Sequence, residues 1–388
     1  MPTPAAASRV YFIPAGSGRR ERDLMDFVFP DYSPPDFTCP QLSGAPVVLL
    51  KEAKQRGVAP EGYHATSIFP EYFQVKKGVW RLAHESRMDC VATLGKGRAL
   101  AVKEFRRIEA GELVACGRSE NGQDGIFVHP AGFRFPEQAQ EKFAFRARLT
   151  RETSFSTDYD ELYGLLRHER EHGFVLWVLG PAVVFDRDAR DAFVSLIEGG
   201  YVHALHAGNA LAVHDIEASL FGTALGQDIY SKKSAPFGHY KHLDAINRIR
   251  GLGSIDKAVR LGIVENGIMK AVLTRRIPFI LAGSIRDDGP LPEVVADVYK
   301  AQDKMRGLSR RATTVIALAT QLHAIAIGNM LPSYRVSGAR IRPVYFYSVD
   351  MSEFAASKLA DRGSLTARPI LTNVQDFVVT LMRGLKGG

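Results

Sequence analysis

Between Tyr72 and Val128 the chain is written in short apolar runs separated by turn residues. Tyr72–Val75 and Val79–Leu82 flank Lys77-Gly78, and Met88–Leu94 and Ala99–Val102 flank Gly95-Lys96-Gly97. Leu113–Cys116 and Ile126–Val128 follow across glycine-rich turns. Runs this short and this closely spaced predict a small, mainly antiparallel β domain. A charged, glycine-poor connector spans Pro136–Glu171, with one helix expected around Tyr159–His172. After it the period changes. Phe174–Phe185 is a Val-rich apolar run, and Arg187–Glu198 has helical spacing and stops at Gly199-Gly200. Tyr201–Ala207 is apolar again and Leu211–Leu220 is helical. Strand, helix, strand, helix is the signature of parallel α/β structure.

The alternation continues to the end of the chain. Residues 240–275 read as three short helices punctuated by Gly251, Gly253, Gly262 and Gly267, and Ile277–Ile285 as a buried strand. Pro292 is expected to open a helix running to Arg306 and closed by Gly307, the proline-first, glycine-last asymmetry. Thr314–Ala319, Pro343–Val349 and Pro369–Leu371 read as strands, and Leu322–Met330, Met351–Ala360 and Val374–Leu385 as helices. The expected fold is therefore α/β. An extended lead-in covers residues 1–45, a small β-rich domain 46–150, and a Rossmann-like parallel-sheet domain 151–388.

Composition narrows the class. Of 388 residues 46% are hydrophobic and 24% charged, which excludes a disordered chain, a fibre and a coiled coil. Three cysteines, Cys39, Cys90 and Cys116, with no signal-peptide pattern at the start, point to a reducing, cytoplasmic compartment. The long uncharged run Thr313–Leu331 is interrupted by Thr320, Gln321, His323 and Asn329, so a buried strand and helix are expected rather than a membrane span. The net charge of +8 invites anionic partners. Its basic residues are scattered in twos and threes and no nucleic-acid motif is present, so no nucleic-acid partner is expected.

The chemistry is sought first in glycines. Gly251-Leu-Gly253-Ser-Ile-Asp256 lacks the third glycine of a dinucleotide fingerprint and follows a helix, so it reads as a helix–helix turn. A different nucleotide signal lies further on. A strand ends at Ala319-Thr320, a helix begins at once, and the next strand ends in Asp350. Helix N-terminal amides favour pyrophosphate, and an acid at the end of the second strand bonds ribose hydroxyls. An ordinary βαβ unit with Asp350 as a helix cap fits the same spacing. His203, His206 and His214 do not form a metal set, because i and i+3 on a strand point to opposite faces. With no HExxH or paired CxxC, no metal is expected. Two segments following strands are too polar for plain core, Ala207–Glu217 and Ala282–Pro292. Parallel sheets place their ligands at such strand ends.

Ala207–Glu217, which reads AGNALAVHDIE, and Ile277–Pro292, with its PFILAGSIRDDGPLP, resemble the LOR/SDH-domain family, the archaeal-type ornithine cyclodeaminases. The family also forms the C-terminal region of bacterial arginine dihydrolase/ornithine cyclodeaminase enzymes. The resemblance extends to Phe221-Gly222-Thr223, His323–Pro332, Leu359–Ser364, Pro60–Tyr63, Thr66, Pro70, Tyr72 and Arg87–Cys90, about residues 60–376. It implies NAD as cofactor and conversion of ornithine, or a close diamino-acid analogue, to proline, or a cyclic imino acid, plus ammonia. A hydride leaves the amine-bearing carbon, the other amine closes a ring on the resulting imine, ammonia departs and the hydride returns. By resemblance Asn209, Ala210, Asp288, Thr320, Gln321, Leu322, His323, Asp350, Asn373 and Val374 hold the dinucleotide; the family often has Asp at the position of Asn373. Arg87 or Arg286 would clamp the substrate carboxylate beside Thr66, and Asp287 or His214 would serve as the base. Cys90 reads as a site residue or as a buried structural thiol. Ser67-Ile68-Phe69 replaces a more polar family segment, and if it touches substrate the pocket is more apolar. A net NAD-dependent amino-acid or opine-type dehydrogenase and a non-catalytic NAD-binding regulator are the alternatives. The substrate is a small amino acid, and a homo-oligomer is expected.

Overall fold

The computed structural model describes residues 27–95, 99–135, 156–287, 289–338, 340–352 and 364–387. Its centre is a sheet of seven parallel strands: β1 Val175–Leu179, β2 Ala204–Gly208, β3 Phe279–Ala282, β4 Val294–Val295, β5 Thr314–Leu318, β6 Tyr345–Asp350 and β7 Ala367–Leu371. The spatial order is β4-β3-β2-β1-β5-β6-β7. The chain thus builds outward from β1 to one edge, then returns to the other side of β1 with β5. That reversal creates a switch point between β1 and β5, whose five residues pair in register from Val175↔Thr314 to Leu179↔Leu318.

Strands β1 and β5 read VLWVL and TVIAL, and every residue of both is buried. A parallel sheet covered on two faces needs such unbroken apolar runs. Trp177, Leu205 and Ile316 face a core closed by helices Arg187–Glu198, Asn209–Phe221 and Val374–Lys386. Leu176, Val178 and Phe346 face a second core closed by helices Val298–Ser309 and Gln321–Met330. Fully burying each large side chain stabilises the fold by about 1.5–3 kcal/mol.

Two readings change. Pro292 opens no helix: Val294–Val295 add a short parallel strand to β3, because two β-branched residues favour the sheet. The helix is Val298–Ser309, capped by Asp297 accepting from the Lys300 amide at 2.8 Å, and Gly307 lies inside it. The expected strand Ile277–Ile285 shortens to Phe279–Ala282, and Ile285 is fully exposed in the following turn. A hairpin of Tyr334–Ser337 and Arg340–Pro343 precedes β6. The helix expected over Met351–Ala360 falls largely outside the described residues.

The β domain forms two antiparallel sheets. One orders Leu49–Glu52, Leu113–Cys116, Cys90–Leu94 and Leu100–Glu104; the other orders Val79–Leu82, Glu71–Lys76 and Ile126–Val128. Phe73, Val75, Ala92 and Ile126 make its core. The lead-in is partly structured: Asp31–Tyr32 pairs with Phe133–Arg134, and Phe27 packs edge-on to Tyr345 of the main sheet. The β domain docks beyond the C-terminal end of helix Gln321–Met330, where Ser333 N–H donates to Ser86 O at 2.9 Å and Tyr334 Oη to Ala83 O at 2.7 Å.

His206 of β2 is fully buried, with neither ring nitrogen partnered among the described residues. Burial, assisted by nearby His323, pushes its pKa down to about 3. The folded state therefore keeps this imidazole neutral while the unfolded chain takes up a proton below about pH 6.5. Stability falls as pH drops through that window, by about 2 kcal/mol from this residue between pH 7 and 5. His206→Leu should bring the urea midpoints at pH 7 and pH 5 closer together than in the unaltered protein. An unchanged gap would contradict this.

Candidate active site

The crevice at the C-terminal ends of the strands is made of backbone. A β-carbon on Gly180, just past β1, would stand 1.9 Å from the Ala319 carbonyl oxygen, just past β5. Ala319 itself adopts a left-handed φ of 47°, costly for a residue with a side chain. One on Gly208, at the end of β2, would stand 3.3 Å from His323 Cε1, and one on Gly283 3.1 Å from the Ala296 Cα. Three strand ends are thus occupied by glycines against which neighbouring chain closes.

Two helices begin here, Asn209–Phe221 and Gln321–Met330. Neither has a side-chain cap: Gly208 has no side chain, and Thr320 makes no cap hydrogen bond. The helices starting at Arg187, Ile255, Val298 and Val374 are each capped by the side chain before them, whereas those starting at Gly238 and Ile268 are not, the latter having its first amides taken by Asp215. Helix-start amides left without side-chain partners, at a switch point floored by glycines, fit a dinucleotide pyrophosphate. Half-buried Asp350 ends β6 on the same side and accepts from the Ser352 amide at 3.0 Å.

The other expected residues divide. Asn209 is buried and its Oδ1 accepts from the Leu291 amide, tying the helix start to the loop after β3; Ala210 is half-buried beside it. Gln321 and Leu322 are exposed at the helix start and His323 is half-buried. Burial lowers the pKa of His323, against the opposing pull of Asp287. Asp287 lies in a turn closed by its own amide donating to Ser284 O at 3.1 Å and its carboxylate accepting from Ser284 N–H at 2.8 Å. Arg286 is exposed on that turn. The structure therefore brings Asp287, Arg286, His323, Thr320, Asn209 and Ala210 to one end of the sheet. Asp288 lies outside the described residues.

His214 is placed differently. Its Nδ1 is 2.9 Å from Glu217 Oε2, and its ring meets Phe185 and His242. Burial works against ionisation of Glu217, but hydrogen bonds from His214, the Gly226 amide and Thr223 outweigh it and hold the carboxyl below its usual range. Asn373 caps helix Val374–Lys386, accepting from the Gln375 and Asp376 amides, and Val374 is buried in the core.

Thr66 and Arg87 are held apart from the crevice within one chain. Thr66 Oγ1 donates to Arg87 O at 2.7 Å, and Arg87 is buried between Glu85 and Glu104. Both sit with the segment that docks on Ser333, past the far end of a ten-residue helix, about 15 Å from its start. The Ile68 carbonyl accepts from Ser333 Oγ, so the Ile68-Phe69 loop seals the domain junction. Cys90 is core, its thiol pushed up to about 11, chiefly by burial. Among the described residues no group of three or more His, Cys, Asp or Glu could hold a metal ion, and no helix is long and apolar enough to cross a membrane. Gly180 carries no role in the sequence reading; its signal is a glycine directly following an apolar strand.

Residues 163–381 match the family described as arginine dihydrolase ArgZ-like, C-terminal, Rossmann fold. The chain is 39% identical over 350 residues to the ornithine cyclodeaminase of Methanocaldococcus jannaschii, covering 87% of this chain and 78% of that protein. A LOR/SDH protein structure from Methanococcus maripaludis superposes with a TM-score of 0.80 at 33% identity, covering 88% of this chain and 99% of that one. The ternary complex of AgrE, the bifunctional arginine dihydrolase/ornithine cyclodeaminase of Nostoc, with ornithine and NAD+ superposes with a TM-score of 0.55 at 32% identity. It covers 90% of this chain and 47% of that one. With its Rossmann sheet, its glycine-floored crevice and these relatives over most of its length, the chain belongs to the ArgZ-like C-terminal Rossmann family, which includes the archaeal ornithine cyclodeaminases.

Proposed function

We propose that this protein is an NAD-dependent ornithine cyclodeaminase, converting ornithine to proline and ammonia. The observation that carries the reading is the pair of helix starts without side-chain caps at the ends of β2 and β5, with Asp350 at the end of β6. The likeness to a protein solved with ornithine and NAD+ supports it. Bound NAD+ would supply the reversible hydride acceptor. Ornithine equals proline plus ammonia in atoms and electrons, so no net oxidant is needed.

The chain's own residues have the remaining tasks. Asp350 would hold the ribose hydroxyls, and the amides of Gln321, Leu322 and His323 with those of Asn209 and Ala210 would face the phosphates. Asp287 is favoured as the base over His214, because His214 Nδ1 is already committed to Glu217. A carboxylate here can take the proton from a substrate ammonium and return one to the departing ammonia. Arg286 is favoured as the carboxylate clamp over Arg87, whose guanidinium already serves Glu85 and Glu104. The apolar Ile68-Phe69 loop does not argue for a different substrate, since it packs at the domain junction. The reading includes a cytoplasmic homo-oligomer: Tyr230, Phe237, Tyr240 and Leu243, each more than half exposed, give a second copy an apolar surface to cover.

With catalytic amounts of NAD+, ammonia should accumulate while NADH absorbance stays flat. Deuterium placed at the reacting carbon of ornithine should reappear in proline. Stoichiometric NADH formation would overturn the redox-neutral reading and select a dehydrogenase.

Asp287→Asn should lower kcat by roughly 10²–10⁴-fold while leaving NAD+ affinity nearly unchanged. Asp350→Ala should weaken NADH binding, followed by nucleotide fluorescence, and narrow the preference over NADPH, because the carboxylate repels a 2′-phosphate. Unaltered discrimination would remove Asp350 from the ribose site.

A further inference from the structure

Away from the crevice, a cavity of about 460 Å³ lies between the β domain and helix Val298–Ser309. An ion-pair ribbon runs along it. Arg310 Nη2 is 2.6 Å from Glu85, which is 2.9 Å from Arg87 Nη1. Arg87 Nη2 reaches Glu104 Oε1 at 2.7 Å, and Arg306 Nε approaches the same oxygen at 2.6 Å. Arg306 Nη1 continues to Asp303 Oδ1 at 3.1 Å, where Arg107 Nη2 arrives at 2.7 Å and Arg106 also binds. Arg306 is 4% exposed, and its Nε has no aligned acceptor despite the short approach to Glu104.

Five guanidinium groups thus share three carboxylates. At the rim, Glu109 and Glu112 are paired with Arg56 and Lys103, so these two carboxylates do not offset the surplus. Arg106, Arg107 and Arg310 are each more than a third exposed, so this side of the ribbon presents positive charge to an anion from solvent. Guanidinium forks match the paired oxygens of phosphate and carboxylate groups. The volume falls in the range of small-molecule sites, about 300–1,000 Å³.

We propose that this cavity binds a small multivalent oxyanion, carrying at least two phosphate or carboxylate groups, which completes the ribbon and clamps the β domain onto helix Val298–Ser309. The site is separate from the crevice, and the inference does not rest on the cyclodeaminase reading. Asp303 shows how such a clamp works. One carboxylate on the helix already gathers Arg106 and Arg107 of the β domain, and a diffusible anion would extend that bridge.

The test uses the full chain, with and without saturating NAD+. Inorganic pyrophosphate and citrate are titrated separately by calorimetry at ionic strength matched with chloride. Saturable one-to-one binding that is unchanged by NAD+ is expected, with a rise in Tm. Tighter pyrophosphate assigns a phosphate ligand, tighter citrate a carboxylate ligand. Arg107→Gln should weaken binding about tenfold or more. Two exposed rim variants leave the ribbon intact and should act in opposite senses. Arg56→Gln should weaken binding and Glu109→Gln strengthen it, each about two- to fivefold. No heat beyond the chloride control, affinity indifferent to all three variants, or binding abolished by NAD+ would each overturn the proposal.

Discussion

The backbone contact between Gly180 and Ala319 sets the geometry on which the rest depends. β1 and β5 are neighbours in the sheet, yet the chain leaves them toward opposite faces. For both exits to fit side by side, one strand must end in a residue without a side chain. Gly180 accepts the Ala319 carbonyl where a β-carbon would collide, and its own amide donates to Leu318 O at 2.8 Å. Ala319 then takes a left-handed turn that starts helix Gln321–Met330 directly above the sheet edge. Helix Asn209–Phe221 starts beside it, because Gly208 lets His323 close in. Glycine backbone thus stands at these strand ends, the side on which parallel sheets bind a dinucleotide.

Much of this fold was legible in the chain. The βαβ alternation from Phe174 onward, the helix Arg187–Glu198 and the hairpins of the β domain follow from apolar periodicity and turn residues alone. The errors cluster where a local signal has two meanings. Pro292 is as compatible with entering a short edge strand as with opening a helix, and Asp297 provides the stronger helix start five residues later. Gly307 is tolerated inside a helix because nothing lies within 4 Å of where its side chain would be. The hairpin before β6 does alternate, Tyr334-Arg335-Val336-Ser337 and Arg340-Ile341-Arg342-Pro343, but four residues a strand are too few for the period to stand out beside the apolar run that follows.

The site was legible in part, and for a physical reason. Asp350, Thr320 and Asn209 stand where strand ends and helix starts leave a spacing signature, so their places in the fold could be read from the chain. Thr66 and Arg87 were attached to the same site by resemblance, and distance along the chain says nothing about distance across a domain junction. The structure puts them with Ser86 and Ser333, where the β domain is hydrogen-bonded to the base of the Rossmann domain. Within this chain their hydrogen bonds and ion pairs are made to the β domain itself.

The same distinction separates the two acids of the AGNALAVHDIE segment from the site next to them. Asp215 is fully buried, receives Arg190 Nε at 2.7 Å, and accepts the Ile268 and Met269 amides at the start of helix Ile268–Thr274. Glu217 gathers His214, Thr223 and the amides of Leu225 and Gly226, fastening the arm that leads to helix Gly238–Leu252. Each carboxylate satisfies several donors that would otherwise be buried and unpaired, at a cost of about 1–3 kcal/mol for each one lost. A long polar motif can therefore be demanding for two reasons at once. Its first residues, Gly208, Asn209 and Ala210, meet the crevice, while its last acids lock the helix that presents them. Only the first half offers free groups to a ligand, but the second half decides where those groups stand.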